Sequence, residues 1–413
     1  MQDFFMTIQL HKSSLKKQSD ITITGSKSES NRLLLLQALY PELQIDNVSN
    51  SDDSNVMQKA LSSKDSLIDI HHAGTAMRFL TAYFACQEGR EVTLTGSQRM
   101  KERPIAILVD ALHQLGVEIS YLETAGCPPL KIKGTKITND KVRLNANVSS
   151  QYISALLLIA SRLENGLELT LEGKITSVPY INMTLNLLSQ VGINAEFKDQ
   201  VIKVQPKTDA LSATHLTVES DWSSASYFYS IVALSPLHTE ITLSSYKQSS
   251  LQGDSALVEI YKAFGVETTF KANSITIRKE TMVSNRVLEF QLNDSPDIAQ
   301  TIAVTCLGLG VACYLTGLHT LKIKETDRLV ALKTELEKLG ASVAISEDTL
   351  RLDACSQINE QVKIATYNDH RMAMAFAPLA LKTTLFIEDY MVVSKSYPTF
   401  WEDLKTLGFK FSK

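Results

Sequence analysis

The 413-residue chain predicts an α/β fold of two domains, each holding three repeated units in which short strands alternate with two helices. Three observations predict it. The length exceeds one ordinary core, a helix ending recurs about every 70 residues, and six helices are apolar on nearly every side yet opened by polar residues.

The endings define the units. An apolar residue, then Gly, then a β-prone run stands at Leu115-Gly116, Val191-Gly192, Phe264-Gly265, Leu339-Gly340 and Leu407-Gly408. Glycine suits the left-handed residue that closes a helix. Ile105, Leu108, Leu112 and Leu115 precede Gly116 at the offsets by which Leu329, Leu332, Leu336 and Leu339 precede Gly340. A degenerate earlier copy is expected to end near Ser62, which makes about six units.

The second helix of each unit opens at Ser28-Glu29-Ser30-Asn31-Arg32, Gly74-Thr75-Ala76-Met77-Arg78, Ser149-Ser150-Gln151, Asp221-Trp222-Ser223-Ser224, Asp297-Ile298-Ala299-Gln300 and Asp369-His370-Arg371-Met372. A helix apolar all round is buried, so these six are expected inside, with the amphipathic set around them. Their N-termini present unpaired N–H groups and partial positive charge, so converging ends would form an anion-binding cleft. Strands are expected at Ile21 to Thr24, Glu91 to Thr95, Leu167 to Leu171, Glu240 to Leu243 and Ser342 to Ile345. The uncharged run from Thr301 to Leu318 approaches a membrane span in length. Gly308, Gly310 and Gly317 make it instead a buried helix breaking into a buried strand.

Composition excludes several classes. With 44% hydrophobic and 21% charged residues the chain is an ordinary globular protein. A net charge of -4 gives no general attraction to nucleic acid or acidic membranes, so anions must be held by local clusters. The five cysteines are widely spaced with no metal-ligand pattern, which fits reduced thiols in a cytoplasmic protein without a metal site. No signal peptide is evident at the N-terminus.

Several clusters can carry chemistry. Gly25-Ser26-Lys27-Ser28-Glu29-Ser30-Asn31-Arg32 is a glycine turn feeding a helix with a Lys, an Arg and three hydroxyls, suited to phosphate but without P-loop spacing. Arg99, Lys101 and Arg103 precede Pro104 at another helix start. Lys324-Glu325-Thr326-Asp327-Arg328 opens an amphipathic helix. Alone it reads as a solvated helix start; grouped with the polar helix openings it belongs to a shared anion site. The candidate acids and bases are Asp297, Glu325, Lys27, Lys324 and Lys395, while an ion pair orienting a neighbouring base is expected of Asp327.

Six strings, in order from Gly25 to Lys395, closely resemble the 5-enolpyruvylshikimate-3-phosphate synthase family: Gly-Ser-Lys-Ser-x-Ser-Asn-Arg, Ala-Gly-Thr-Ala-Met-Arg, Arg-Met-Lys-Glu-Arg-Pro-Ile, Val-Ser-Ser-Gln, Lys-Glu-Thr-Asp-Arg and Asn-Asp-His-Arg-Met-Ala-Met. The resemblance implies transfer of the enolpyruvyl group of phosphoenolpyruvate to the 5-hydroxyl of shikimate 3-phosphate on the way to aromatic amino acids, with no cofactor. It implies an inside-out α/β barrel fold of two domains, each of three βαβαββ repeats. Residues 23–220 would form one domain, 1–22 with 221–413 the other, and the active site would lie in the cleft between them. A monomer acting on small molecules, with no nucleic acid or membrane partner, is expected.

Carried over by motif, Ser28, Arg32, Ser149, Ser150, Ser177, Tyr180, Asp297 and Lys324 would hold shikimate 3-phosphate. Lys27, Gly74, Arg103, Gln151, Arg328, Arg371 and Lys395 would hold phosphoenolpyruvate. The demand is physical too, since each substrate brings a carboxylate and a phosphate, which Arg forks and Lys point charges answer. Catalysis is assigned to Glu325 for the C3 proton, Asp297 with Lys324 for the hydroxyl proton, and Lys27 and Lys395 for the departing phosphate. His72, Phe79 and Thr320 depart from the family pattern of Asn, Pro and Asn, and bear on sensitivity to glyphosate, which in the family competes with phosphoenolpyruvate. The related UDP-N-acetylglucosamine enolpyruvyl transferases generally carry a Cys in the loop corresponding to Gly96 to Pro104, and here there is none. A non-enzymatic polyanion binder is the rival from another class, although stacking aromatics do not interleave the basic motifs.

Overall fold

Gly116, Gly192, Gly265, Gly340 and Gly408 all take positive φ, from 72° to 112°, so each closes its helix in the left-handed conformation that a side chain resists. The computed structural model describes residues 6–145, 149–173, 175, 178–207, 209, 211, 214–284 and 287–413. The chain divides into two compact units. One holds the N-terminal stretch to Thr24 together with Glu219–Lys413, and the other is Gly25–Val218.

In the first unit three four-stranded sheets repeat one plan. Gln18–Ile21 pairs in parallel with Glu240–Ser244, Leu288–Gln291 with Cys313–Thr316, and Val362–Ile364 with Leu385–Ile387. Parallel neighbours need a crossover. The helices Trp222–Leu234, Ala299–Leu309 and His370–Phe376 lie between the paired strands in this arrangement. A second helix then leads to antiparallel strands that complete each sheet. The N-terminal segment supplies Ile8–His11, set between Leu385–Ile387 and Lys410–Ser412, as well as Gln18–Ile21.

Among the described residues Gly25–Val218 holds two sheets on the same plan and a third of only two strands, Leu43–Asp46 parallel to Thr214–Thr217. The shortened repeat is the one whose helix, Asp52–Ser62, lacks a closing glycine. Ser63 stays extended (φ −71°, ψ 143°), and the chain runs directly to the next sheet at Leu67. One expected strand shifts. Ile21 to Thr24 is not a strand; Gln18–Ile21 is. The stretch beyond Ile21 belongs to the crossing between units, where the Ser220 hydroxyl donates to the Ile23 carbonyl.

The polar-opened helices are the core. Gly74–Ala85 and Trp222–Leu234 are buried at every residue, and Ser150–Ala160 at all but Gln151. Gly74–Ala85 packs on Ser150–Ala160 and Lys27–Leu39, and Ala299–Leu309 packs on Trp222–Leu234 and His370–Phe376. With sheets outside and helices within, each buried Leu or Phe contributes about 1.5–3 kcal/mol of transfer free energy. Gly308 is not the break in its helix. A Cβ there would lie 2.6 Å from Leu234 Cδ2, so glycine permits the close helix approach, and the break comes at Gly310 (φ 72°). No helix among the described residues is long and apolar enough to cross a membrane.

Candidate active site

Within the unit containing Glu219–Lys413, the openings of three buried helices meet. Asp297 precedes Ala299–Leu309, Ser223 lies in the first turn of Trp222–Leu234, and Arg371 in that of His370–Phe376. Arg371 Nη2 donates to Asp297 Oδ2 at 2.9 Å and to Ser223 Oγ at 3.3 Å. Arg328 joins them from the start of the amphipathic helix Arg328–Lys338. Its side chain is 2% exposed and donates through Nη1 to Asp297 (2.9 Å), Nη2 to Glu325 (2.7 Å) and Nε to Asp369 (2.6 Å). Lys324 Nζ lies 3.5 Å from Asp297 Oδ1.

The electrostatics follow from these distances. Burial alone would raise the Asp297 carboxyl, but Arg371, Lys324 and Arg328 hold it well below the usual carboxylate range. Asp254 goes the other way, pushed up to about 7 by burial and by the neighbouring Asp297 charge, against the pull of Arg371. The Ser223 hydroxyl donates to it. Asp327 caps its helix, accepting from the Leu329 and Val330 N–H groups at 3.1 and 3.2 Å, a role different from the ion pair expected of it. Lys395 Nζ donates to the Asn368 carbonyl at 2.6 Å.

The Gly25–Val218 unit brings together most of the other expected residues. Arg32, buried, donates to the Ser28 carbonyl (2.8 Å), Thr184 Oγ1 (2.8 Å), Ser154 Oγ (3.0 Å) and the Tyr180 carbonyl (3.4 Å). Burial lowers its pKa to about 10, against the Tyr180 and Glu29 contributions. Phe79 packs beneath this guanidinium, its ring centroid 5.4 Å from Arg32 Cζ, so the aromatic departure from the family pattern has a definite partner. Lys27 Nζ lies 3.3 Å from Asp53. Ser149 caps the helix Ser150–Ala160 by accepting from Gln151 N–H, and the Gln151 amide donates to Thr75 Oγ1 at 3.1 Å. A Cβ on Gly74 would lie 2.4 Å from Arg103 Nη1, so glycine here admits the arginine. Ser177 lies outside the described residues.

The two remaining departures also find their places. His72 lines a hollow of about 280 Å³ with His71, Asp52 and Asp53. The Thr320 hydroxyl has no hydrogen-bond partner among the described residues. Sequence reasoning missed Asp254, Ser154, Thr184 and Asp53 as site groups, and gave Ser223 and Asp369 no task beyond opening a helix. Ser154 and Thr184 are uncharged, Asp254 has no charged neighbour and Asp53 only Asp52 beside it, and only long-range packing brings Thr184 to Arg32 or Asp254 to Ser223.

The model of the family EPSP synthase (3-phosphoshikimate 1-carboxyvinyltransferase) matches residues 57–404. The 3-phosphoshikimate 1-carboxyvinyltransferase of Bacteroides fragilis is 47% identical over 397 residues, covering 95% of this chain and 96% of that protein. Its namesake from Histophilus somni is 36% identical over 422 residues, covering 94% and 96%. The solved EPSP synthase from Acinetobacter baumannii has a TM-score of 0.79 at 19% identity, over 98% of this chain and 100% of that one. The enolpyruvyl transferase NikO from Streptomyces tendae has a TM-score of 0.73 at 13% identity over 98% of each chain. The two structures speak to the fold, which they share with this chain. The family model spans most of the sequence and the curated relatives match it along nearly their whole length, so the chain belongs to the EPSP synthase (3-phosphoshikimate 1-carboxyvinyltransferase) family.

Proposed function

We infer that the groups gathered at Asp297 carry out the family's reaction, in which the enolpyruvyl group of phosphoenolpyruvate moves to the 5-hydroxyl of shikimate 3-phosphate and inorganic phosphate is released. Protonation of C3 makes C2 cationic, and the 5-hydroxyl oxygen adds to C2 as it gives up its proton. Removal of a C3 proton then restores the double bond as phosphate leaves. Three positions need assistance: the C3 carbon, the hydroxyl and the departing phosphate.

The observation that carries this reading is the placement of Glu325, Lys324 and Asp297 around one pair of arginines, 2.7 to 3.5 Å from their partners. Glu325 serves the C3 proton. Asp297 and Lys324 serve the hydroxyl, the carboxylate taking its proton while the ammonium 3.5 Å away helps hold that carboxylate ionised and ready to accept it. Lys27 and Lys395 meet the phosphate. Ser28, Arg32, Ser149, Ser150, Ser177 and Tyr180 hold shikimate 3-phosphate with Asp297 and Lys324, while Gly74, Arg103, Gln151, Arg328 and Arg371 hold phosphoenolpyruvate with the two lysines. A cytoplasmic monomer belongs to the same proposal, supported by the family resemblance and by five cysteines that are all free.

The test is release of inorganic phosphate from phosphoenolpyruvate with either acceptor. Release with shikimate 3-phosphate and none with UDP-N-acetylglucosamine is expected; release only with the sugar nucleotide would overturn the acceptor assignment.

A further inference from the structure

Immediately before Asp369, two consecutive residues that are not glycine adopt left-handed backbone, Tyr367 (φ 53°) and Asn368 (φ 56°). The Asp369 N–H donates to the Thr366 carbonyl at 2.8 Å, closing a four-residue turn of the mirror-image kind that normally selects Gly or Asn. A tyrosine at its first central position is held there against its own preference.

The turn also organises cations. Its Asp369 carboxylate accepts from Arg328 Nε and from the Arg371 backbone N–H (2.9 Å), and its Asn368 carbonyl accepts from Lys395. Three groups assigned above to phosphoenolpyruvate thus depend on one turn.

What holds the turn is Glu335, two helical turns beyond Arg328 on Arg328–Lys338 and therefore on the same face. Its carboxylate has no exposed surface. Oε1 accepts from the Tyr367 hydroxyl at 2.6 Å, Oε2 from the Ala365 N–H at 3.2 Å, and Lys338 Nζ lies 2.8 Å from both oxygens.

We propose that Glu335 is a positioning residue for phosphoenolpyruvate, stapling the Thr366–Asp369 turn through Tyr367 and Ala365 so that Arg328, Arg371 and Lys395 keep their places. It touches no substrate itself. The inference rests on the assignment of those three cations to phosphoenolpyruvate. It predicts that damage to the staple is selective, weakening the donor substrate and sparing the acceptor.

Steady-state kinetics with each substrate varied separately test it on Glu335→Gln, Tyr367→Phe and the double variant. Tyr367→Phe removes one hydroxyl from a side chain that is 39% exposed, so it remains informative if Glu335→Gln folds poorly. The KM for phosphoenolpyruvate is expected to rise about tenfold in each single variant, with the KM for shikimate 3-phosphate within about twofold of the parent. The double variant should be no worse than Glu335→Gln, because both changes cut one connection. Unchanged KM values in Tyr367→Phe, equal rises for both substrates, or additive losses in the double variant would overturn the proposal. Parent protein that releases no phosphate from the substrate pair would instead defeat the underlying assignment, and the inference with it.

Discussion

Replacing Gly74 by Ala places a methyl group where Arg103 now lies. The Cβ would stand 2.4 Å from Nη1, 3.1 Å from Cζ and 3.2 Å from Nη2, whereas ordinary contact begins at 3.4 Å. The backbone of Gly74 opens the fully buried helix Gly74–Ala85, so the yielding partner is the half-buried, flexible arginine. Its guanidinium must retreat by about 1 Å, enough to break or lengthen a charge-assisted hydrogen bond to a substrate carboxylate or phosphate. Such a bond is worth about 1.5–3 kcal/mol, which corresponds to a rise of about 10- to 150-fold in the KM for phosphoenolpyruvate. The acceptor contacts proposed at Arg32 and Ser28 do not involve Gly74, so the KM for shikimate 3-phosphate should stay within about twofold. Phosphate release with each substrate varied in turn measures both constants. An unchanged KM for phosphoenolpyruvate, in a variant that melts like its parent, would refute the assignment of Arg103.

Glu325→Gln should bind both substrates yet turn over about 100- to 10,000-fold more slowly, a loss read in kcat; near-normal kcat would remove Glu325 from the chemistry. Lys279 is 1% exposed and donates to the Phe264 carbonyl, and burial, helped by Lys382, lowers its pKa to about 8. The unfolded chain therefore binds more protons between about pH 8 and 10.5, stability rises with pH across that window, and Lys279→Met should flatten the slope and add about 2 kcal/mol at pH 7 in urea denaturation. Asp254 gives the opposite slope, because its carboxyl is raised to about 7 and the folded chain binds the extra proton. Stability should fall as pH rises from about 4 to 7, and Asp254→Asn should remove that fall with a gain on the order of 1 kcal/mol at pH 8; an unchanged pH profile of melting would count against it.

The repeat was legible because its signals are local. A glycine at positive φ after an apolar helix registers in neighbouring residues alone, and so does a helix with no polar side, which has to be buried. Even the missing hairpin left a trace, in the absent glycine near Ser62. The N-terminal strand Ile8–His11 was not legible, since its partners begin at Leu385 and Lys410 and four residues carry too short an alternation to announce a sheet. The site divides along the same line. Charged openings such as Asp297 and Arg371 stand out in a string, but Glu335 looks like any solvent-facing helix carboxylate until the turn at Tyr367 is folded against it.

The charges around Asp297 also separate two arginines that sequence alone treated as equivalent. Arg328, Arg371 and Lys324 face Asp297, Glu325, Asp369 and Asp254, so this end of the helices carries no excess of positive charge even though it is built from helix N-termini. Affinity for a phosphate ester must then come from donors that have capacity to spare and from carboxylates that can take a proton. Arg328 has all three nitrogens committed to carboxylates, and at 2% exposure it orders Asp297, Glu325 and Asp369 relative to one another. Arg371 commits Nη2 to Asp297 and Ser223, while its Nε has no hydrogen-bond partner among the described residues. By donor count Arg371 has capacity to spare for phosphoenolpyruvate, while Arg328, placed on the same substrate in the proposal, also keeps the acids in place. The proton-accepting member is Asp254. Burial and the neighbouring Asp297 charge raise its carboxyl, so of these acids it is the one that an arriving anion most readily protonates.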